Sequence, residues 1–152
     1  MKKKIKCSIR DVTFGNNVTV IEPVNLYECE IEDNVFIGPF VEIQKGVRIG
    51  RCSKIQSHSF ICEKVTVGKN SFIGHGVMFI NDRFSTGGPA GGDSTLWEET
   101  EIGNNVSIGS NATILPVKIC DGTVIGAGAV VTKSISKPGI YAGNPAKILK
   151  EF

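Results

Sequence analysis

An aliphatic residue recurs at every sixth position through most of this chain. The unbroken central run is Ile31, Ile37, Ile43, Ile49, Ile55, Ile61, Val67, Ile73 and, with an aromatic ring in its place, Phe79. A weaker run precedes it, and a second run extends from Ile102 to Ile114 and then, one residue out of step, from Ile119 to Val131. Neither a 3.6-residue helix nor a two-residue alternation has a period of six, whereas a hexapeptide parallel β-helix does.

The residues between these positions fit a triangular tube. A Gly often follows the aliphatic residue, and Asn or Asp often comes next, as in Gly15-Asn16-Asn17, where a corner tolerates positive φ. We predict that each hexapeptide is one strand plus a corner, and that each inward residue lies on its counterpart about eighteen residues away. The one-residue slips after Leu26 and Ile114 predict shortened corners. An ordinary β-sandwich is the alternative, and the nine consecutive matches of the central run disfavour it.

Two segments break the period. Residues 81–101, rich in Gly and Pro, predict a long loop extruded from the solenoid, and loops of this length are usually functional or disordered. Trp97, the only tryptophan, either docks onto another surface such as a neighbouring subunit or folds back onto its own coil. From 133 to 152, Pro and Gly predict a tail without further coils, ending in a short helix or strand from about Ala146. We interpret 1–152 as a single all-β domain whose first 13 residues are a lead-in or a first coil.

Composition narrows the class of protein. The net charge of +2 favours neither nucleic acid nor a membrane surface. The basic N-terminal segment lacks a following apolar region and no apolar stretch is long enough for a bilayer, so we expect neither a secretory signal nor a membrane span. Five cysteines without a C-x-x-C pair suit neither disulfides nor zinc, and we predict buried, small apolar residues in a reducing cytoplasm. They are Cys7, Cys29, Cys52, Cys62 and Cys120.

The C-terminal segments 126–133 (GAGAVVTK) and 142–147 (AGNPAK) resemble the hexapeptide-repeat acyltransferases. The resemblance covers nearly the whole chain and implies a left-handed β-helix, a homotrimer, and acetyl-CoA or another acyl-CoA as donor. The left hand is implied by the resemblance alone, because general chirality rules favour right-handed crossovers.

The same resemblance implies where the donor binds. It puts the backbone of Gly126, Ala127 and Ala129 along the pantetheine arm, and Asn144 and Pro145 near the adenine. Three lysines are candidates for its phosphates, although charges near a terminus serve solubility equally well. They are Lys133, Lys147 and Lys150.

A narrower match lies in 57–63 (SHSFICE) and 74–90 (GHGVMFINDRFSTGGPA). Both segments resemble N-acetyltransferases that act on nucleotide-linked 3-amino sugars in bacterial O-antigen and S-layer glycan synthesis. The second is most similar to enzymes for UDP-2-acetamido-3-amino-2,3-dideoxyglucuronate. This implies a cytoplasmic, homotrimeric enzyme with sites between subunits, and no metal.

Acetyl transfer to an amine needs a neutral amine, an oxyanion site and alignment of the two substrates. His58 and His75, the only histidines, are 17 residues apart and are predicted to lie on adjacent coils at nearly the same edge. Histidine suits a general base at neutral pH, and His75 is the first candidate, His58 the second and Asp82 the third. Hydrogen bonding at a corner, or a reaction without a protein base, remain the alternatives.

Asn81 and Asp82 begin the extruded loop and are predicted to contact the sugar, with Asp82 attracting the substrate ammonium if it is not the base. Arg83 is predicted either to pair with a uronate carboxylate or to remain a solvated loop charge. The backbone N–H of Gly109 or its neighbours is the candidate oxyanion donor.

Three other functions compete. A γ-class carbonic anhydrase shares the fold but needs three histidines on one zinc, and this chain has two. A non-enzymatic scaffold would need neither the extruded loop nor the Gly143-Asn144-Pro145 tail. A sugar O-acetyltransferase shares fold, donor and tail, and the Asn81-Asp82 pair is what favours an amine acceptor.

Overall fold

Residues 8–152, the part of the chain that the computed structural model describes, form a left-handed parallel β-helix of about seven coils. The strands, in chain order, are β1 (Ile9–Arg10), β2 (Thr13–Phe14), β3 (Thr19–Val20), β4 (Asn25–Tyr27), β5 (Glu30–Ile31), β6 (Phe36–Ile37), β7 (Glu42–Ile43), β8 (Arg48–Ile49), β9 (Lys54–Ile55), β10 (Phe60–Ile61), β11 (Val65–Val67), β12 (Phe72–Ile73), β13 (Met78–Phe79), β14 (Thr100–Ile102), β15 (Ser107–Ile108), β16 (Thr113–Ile114), β17 (Lys118–Ile119), β18 (Val124–Ile125), β19 (Val130–Val131), β20 (Gly139–Ala142) and β21 (Lys147–Glu151). A 3₁₀ helix, Ser94–Leu96, lies in the extruded loop.

Every third strand joins the same sheet, which gives the tube three faces. Sheet A has the order β1-β4-β7-β10-β13-β16-β19, sheet B β17-β14-β11-β8-β5-β2, and sheet C β21-β20-β18-β15-β12-β9-β6-β3. All neighbours are parallel except β20 and β21. Ile31 pairs with Ile49 and Ile43 with Ile61, so the predicted stacking distance is confirmed.

The inward residue of each strand builds the core. The ladder from Ile31 to Phe79 is buried throughout, and burying each such side chain contributes about 1.5–3 kcal/mol. Three buried serines, Ser53, Ser59 and Ser71, each lie two residues before an inward isoleucine. Their hydroxyls have partners, and those of Ser53 and Ser59 each donate to a carbonyl at 2.8 Å. The period of six therefore corresponds to one buried column per face.

The corners between faces take two kinds of residue. We call the corners that lead from sheet C to sheet A the CA corner; they comprise residues 21–24, 38–41, 56–59, 74–77, 109–112 and 126–129. Asn34 and Asn70, at the corners between sheets B and C, have positive φ as predicted. Phe40 and His58 adopt the same backbone at the CA corner (φ 61° and 64°), although large side chains rarely do.

Two predicted boundaries are corrected. The extruded loop ends at Glu99, because β14 begins at Thr100, which pairs with Val65. The prediction that coils cease at 133 is wrong: Ile135 bridges to Ile119, and β20 extends sheet C beside β18. Gly139 helps this last coil to form, because a Cβ there would lie 2.4 Å from the Lys150 carbonyl oxygen of β21. The strand expected from about Ala146 is β21.

The cysteines divide by position. Cys29 and Cys62 are buried as predicted, and Cys120 is half-buried with its sulfur 3.3 Å from the Thr123 hydroxyl. Cys52 is exposed, contrary to the prediction, because it takes a positive-φ corner position (φ 60°) rather than an inward one. Cys7 lies outside the described residues. Within residues 8–152 there is no helix with the length and apolarity that crossing a bilayer requires.

Candidate functional site

The two histidines lie on adjacent coils of the CA corner, as their spacing predicted, but they make different contacts. His75 is exposed, and its Nδ1 lies 2.9 Å from the Ser57 hydroxyl oxygen one coil below. The His58 ring instead packs against Phe40, with ring centroids 4.8 Å apart and the planes tilted by 32°. His75 is therefore held by one polar partner, whereas His58 belongs to an aromatic pair.

The CA corners above His75 contain two glycines, Gly109 and Gly126, at which a side chain would collide with a neighbouring residue. Gly109 cannot carry a side chain without displacing the next coil, because a Cβ there would be 2.4 Å from the Ala127 nitrogen. At Gly126 a Cβ would be 2.9 Å from that of Ala142. Neighbouring coils are about 4.8 Å apart, so Ala127 lies two coils, or about 10 Å, above His75. The predicted donor-binding residues and the first-choice base thus share one edge.

Hydrogen bonding decides which N–H groups at this edge are free. The N–H groups of Gly109 and Gly126 donate to the carbonyls of Ile125 and Tyr141, at 2.8 and 2.7 Å. Ala129 is buried, its N–H donates to Gly126 and its carbonyl accepts from Thr113, so it presents no free backbone donor.

Within residues 8–152 the N–H groups of Ser110 and Ala127 donate to no protein acceptor. Ser110 lies one coil above His75, since the Asn111 N–H beside it donates to the His75 carbonyl at 2.8 Å. Ser110 is therefore a neighbour of Gly109 whose N–H has no protein acceptor in the described part of the chain.

The tail closes the same edge. The Val130 N–H donates to the Gly143 carbonyl at 2.9 Å and the Ala146 N–H donates to Val130 at 2.8 Å, so Asn144 and Pro145 lie over the last coil. Their peptide bond is cis. Lys147 and Lys150 are exposed on β21. Lys133 is at the corner after sheet A instead, so the structure does not bring it to this edge.

The extruded loop leaves the solenoid on the opposite side of sheet A. Its neck is closed by the Glu98 N–H, which donates to the Asn81 carbonyl at 2.8 Å. Strand β13 separates His75 from this neck, so within one chain the predicted base and the predicted sugar-binding residues lie at opposite edges of a sheet.

The polar side chains at the neck already have partners in the same chain. The two Asp82 oxygens accept from the N–H groups of Phe84 and Ala90, at 2.8 and 2.7 Å. Arg83 bonds to Glu98 and to the Pro116 carbonyl, and the Asn81 amide donates to the Glu63 carbonyl at 3.3 Å.

Lys64, which sequence reasoning did not single out, binds the C-terminal end of the extruded loop. Its ammonium donates to the carbonyls of Ser94 and Trp97, each at 2.8 Å, and Trp97 itself is half-buried. Ser57 is the other residue that sequence reasoning missed. Its spacing of 18 from His75, one full coil, was the available signal.

The three faces differ in polarity. The outward residues of sheet B are charged and paired, as with Lys118 and Glu101 at 2.8 Å. Sheets C and A, which meet at the CA corner, instead carry exposed apolar side chains, and Phe72 and Met78 on either side of His75 are each 40% exposed. The corner at His75 therefore has one exposed apolar side chain on each side.

A larger groove than the slot at the CA corner lies over sheet B. It encloses about 1130 Å³ and is open along its length, and its lining includes Lys64, Glu101 and Lys118. Since its ion pair is satisfied internally and neither histidine lines it, we place the candidate site at the CA corner. In the described part of the chain no three or more His, Cys, Asp or Glu side chains are grouped to hold a metal.

Two family models match the chain: the bacterial transferase hexapeptide (six repeats) at residues 28–63, and the hexapeptide repeat of succinyl-transferase at 99–133. Bifunctional protein GlmU of Streptococcus uberis is 32% identical over an alignment 151 residues long, which covers 94% of this chain and 32% of that protein. The chain therefore spans about a third of the length of the curated relatives it matches.

Two solved structures show the same fold. A mutant of AntD, an N-acyltransferase from Bacillus cereus, in complex with dTDP and coenzyme A, aligns with a TM-score of 0.75 at 23% identity, over 91% of this chain and 83% of that one. A galactoside acetyltransferase in complex with coenzyme A aligns with a TM-score of 0.66 at 29% identity, over 93% and 65%.

Proposed function

We propose that this chain, parts of which match two hexapeptide-repeat transferase models, transfers an acetyl group from acetyl-CoA to the amine of a nucleotide-linked amino sugar. The observation that carries the proposal is the CA corner, where an exposed His75 bonded to Ser57 lies on the same edge as the closely approached Gly109 and Gly126. A 3-amino uronate for surface-glycan synthesis is the acceptor we propose, on the resemblance of 74–90.

The Ser57 contact can form with either tautomer of His75, and only one of them suits base catalysis. When the ring proton is on Nδ1, that N–H donates to the Ser57 hydroxyl and the Nε2 lone pair is free to accept a proton. In the other tautomer the Ser57 hydroxyl donates to Nδ1 and Nε2 carries the proton. Base catalysis by His75 therefore requires the first arrangement.

We assign proton transfer and oxyanion stabilisation to groups at this edge. The amine nitrogen attacks the thioester carbon while His75 takes its proton, and the new oxyanion accepts from the Ser110 N–H. Collapse breaks the C–S bond, and the thiolate recovers the proton from His75. The bare backbone at Ala127, one coil higher, leaves room for the pantetheine arm.

A second copy of the chain completes the acceptor side. Since β13 separates the loop from His75 in one chain, the loop residues reach a histidine only if the loop of a neighbouring subunit lies against this corner. The exposed apolar residues of sheets A and C flank the corner and supply a surface for that contact. We propose a homotrimer with one site at each subunit boundary.

The test is thiol release from acetyl-CoA across a panel of acceptors: a UDP-3-amino-uronate, a dTDP-3-amino-6-deoxyhexose and the matching 3-hydroxy sugars. Turnover of an amino sugar without turnover of its hydroxy partner supports the proposal and identifies the branch. Coenzyme A binding without turnover of any acceptor would contradict the proposed substrate.

A sugar O-acetyltransferase is the second candidate, and one observation favours it. Both Asp82 oxygens are bonded to the loop backbone, which leaves them less able to attract a substrate ammonium. A hydroxyl nucleophile also depends more on a base such as His75 than an amine does. Turnover of the hydroxy sugars alone would decide for this candidate.

A further inference from the structure

We propose that Phe40 and His58 form a stacking platform for the base of the nucleotide-linked substrate. The platform lies at the CA corner on the N-terminal side of His75, and nothing described above assigns it a ligand. The inference rests on the proposed function, because it supplies the binding site for the nucleotide that the function requires.

The two rings are held outward by the backbone. Phe40 and His58 occupy equivalent positions of successive coils, and in the later coils that position is taken by Gly76, Asn111 and Gly128. The Phe40 N–H donates to the Pro23 carbonyl at 2.7 Å and the His58 N–H to the Pro39 carbonyl at 3.1 Å. An exposed pair of rings thus replaces the small residues that suit a positive φ, and packing within one chain does not explain this replacement.

Phe40 is the open member of the pair. Its side chain is 56% exposed, although His58 packs 4.8 Å from its ring centroid. A ring that is this exposed can still stack with a second planar group. Stacking on aromatic rings is the usual way that proteins bind nucleobases without reading the sequence.

A small slot beside Phe40 has a lining whose polarity suits a nucleobase. It encloses about 240 Å³, with walls that are mainly apolar and Asn25 and Glu42 as the polar lining residues. The Asn25 amide donates to Glu42 at 3.1 Å and accepts from Arg10 at 3.2 Å, so both polar groups are held in place. A base presents two apolar faces and an edge of donors and acceptors, and the slot matches both.

The order of groups along the edge fits two substrates that meet at His75. With coils about 4.8 Å apart, Phe40 lies about 10 Å below His75 and the bare backbone at Ala127 about 10 Å above it. The nucleotide would occupy the N-terminal half of the edge and the acetyl donor the C-terminal half. In this arrangement His58 is a binding residue, and the base remains His75.

Calorimetric titration of the full chain with UDP, dTDP and GDP, and separately with coenzyme A, tests the platform. We expect Phe40→Ala to weaken binding of the preferred nucleoside diphosphate by about 5- to 100-fold, the range of one lost aromatic stack, with coenzyme A affinity unchanged. Phe14→Ala is the matched control, because Phe14 is also exposed, at 40%, but lies on sheet B.

Phe40→Trp keeps the aromatic face and provides a direct signal. We expect it to bind the nucleotide within about threefold of wild type, and its added fluorescence to be quenched by the bound base, beyond any change that the Trp97 signal shows in the wild type. Thermal unfolding of each variant separates lost binding from lost folding.

Three results would contradict the platform, and each has a different consequence for the proposed function. Equal nucleotide affinity in Phe40→Ala and wild type would overturn the platform and leave the proposed function standing. Loss of coenzyme A affinity in place of nucleotide affinity would mean that the ring stacks on adenine, which also overturns it. A wild type that binds coenzyme A but none of the three nucleotides would remove both the platform and the nucleotide-sugar substrate.

Discussion

At the scale of single residues, the contrast between His75 and His58 comes from one position in the corner. His75 precedes Gly76, and its ring reaches a hydroxyl on the coil below. His58 occupies the positive-φ position itself, and its ring lies on Phe40. Identical residue types one coil apart therefore have different neighbours, and we expect different roles.

His75→Ala is expected to lower kcat by about 10²- to 10⁴-fold, because proton transfer by a positioned base contributes that much. Ser57→Ala should lower kcat with little change in KM, because it removes the Nδ1 partner that orients the His75 ring. His58→Asn should raise KM for the acceptor more than it lowers kcat. Steady-state kinetics over pH measures all three, and wild-type kcat with an unchanged pH profile in His75→Ala would exclude it as the base.

The cysteines are expected to differ in reactivity. Burial raises the pKa of the Cys29 thiol to about 11 and that of Cys62 to about 12, so both stay neutral and unreactive near pH 8. Exposed Cys52 should react first with iodoacetamide, and the buried pair only after unfolding. Peptide mapping by mass spectrometry measures this order, with Cys52→Ser as control. Native labelling of Cys62 as fast as Cys52 would contradict it.

At the scale of strands and corners, contacts between coils link residues one coil apart. Glu32 shows this: its carboxylate accepts from the Arg51 N–H at 2.9 Å and from the Arg48 guanidinium at 2.6 Å. The hydrogen bond from the Arg51 backbone N–H, more than the charge of Arg48, holds the pKa of Glu32 below its usual range. A corner carboxylate thus joins two successive coils.

This contact predicts a dependence of stability on pH. A lowered folded-state pKa means that the stabilisation is present above the unfolded value, about 4.3, and is lost as the pH falls through the folded one. Glu32→Gln should therefore cost about 1 kcal/mol at pH 7 and much less at pH 3. Urea unfolding at both pH values measures the difference, and an equal cost at both would show that the charge is not responsible.

The close approach of coils at the CA corner predicts the effect of a single methyl group. Gly109→Ala places a Cβ 2.4 Å from the Ala127 nitrogen, which is backbone and cannot rotate away. We expect a loss of about 1–3 kcal/mol, the usual cost of overpacking, and weaker coenzyme A binding. Gly88→Ala, where a Cβ meets nothing within 4 Å, is the control for thermal unfolding. Equal melting temperatures for the two variants would disprove the close approach.

At the scale of the whole molecule, the distribution of polarity over three faces predicts the assembly. Sheet B is charged, whereas Phe72 on sheet C and Met78 on sheet A are exposed beside the histidine corner. A face of that kind is normally covered by another protein surface. The separation of His75 from the extruded loop within one chain also indicates that a neighbouring subunit covers this corner.

Phe72→Lys should therefore convert trimers to monomers and abolish turnover, because a lysine in an apolar interface loses its hydration without a partner. Thr66→Lys, an outward change on sheet B, should leave the trimer intact. Light scattering coupled to size exclusion measures both. A monomeric, fully active wild type would refute the intersubunit site.

Sequence reasoning succeeded where the chemistry is local and periodic. The run from Ile31 to Phe79 was recognisable because each inward position repeats the same environment. It failed at Cys52, where the residue type predicted burial but the residue occupies an exposed corner. It also failed at 133–142, where Pro and Gly predicted a tail without coils but the chain extends sheet C. It also missed Lys64, since nothing in the sequence marks a lysine that bonds carbonyls thirty residues on.

The sequence by itself determined the coil, the buried ladder and the place where the loop leaves it, because a period of six reports directly which residues face inward. Only the tertiary structure decided that His75 meets Ser57, that Ala129 is buried, and that the loop lies across sheet A from the histidines. The reason is geometric: a position on the perimeter depends on every slip and shortened corner before it, and contacts across coils join residues that are distant in the chain.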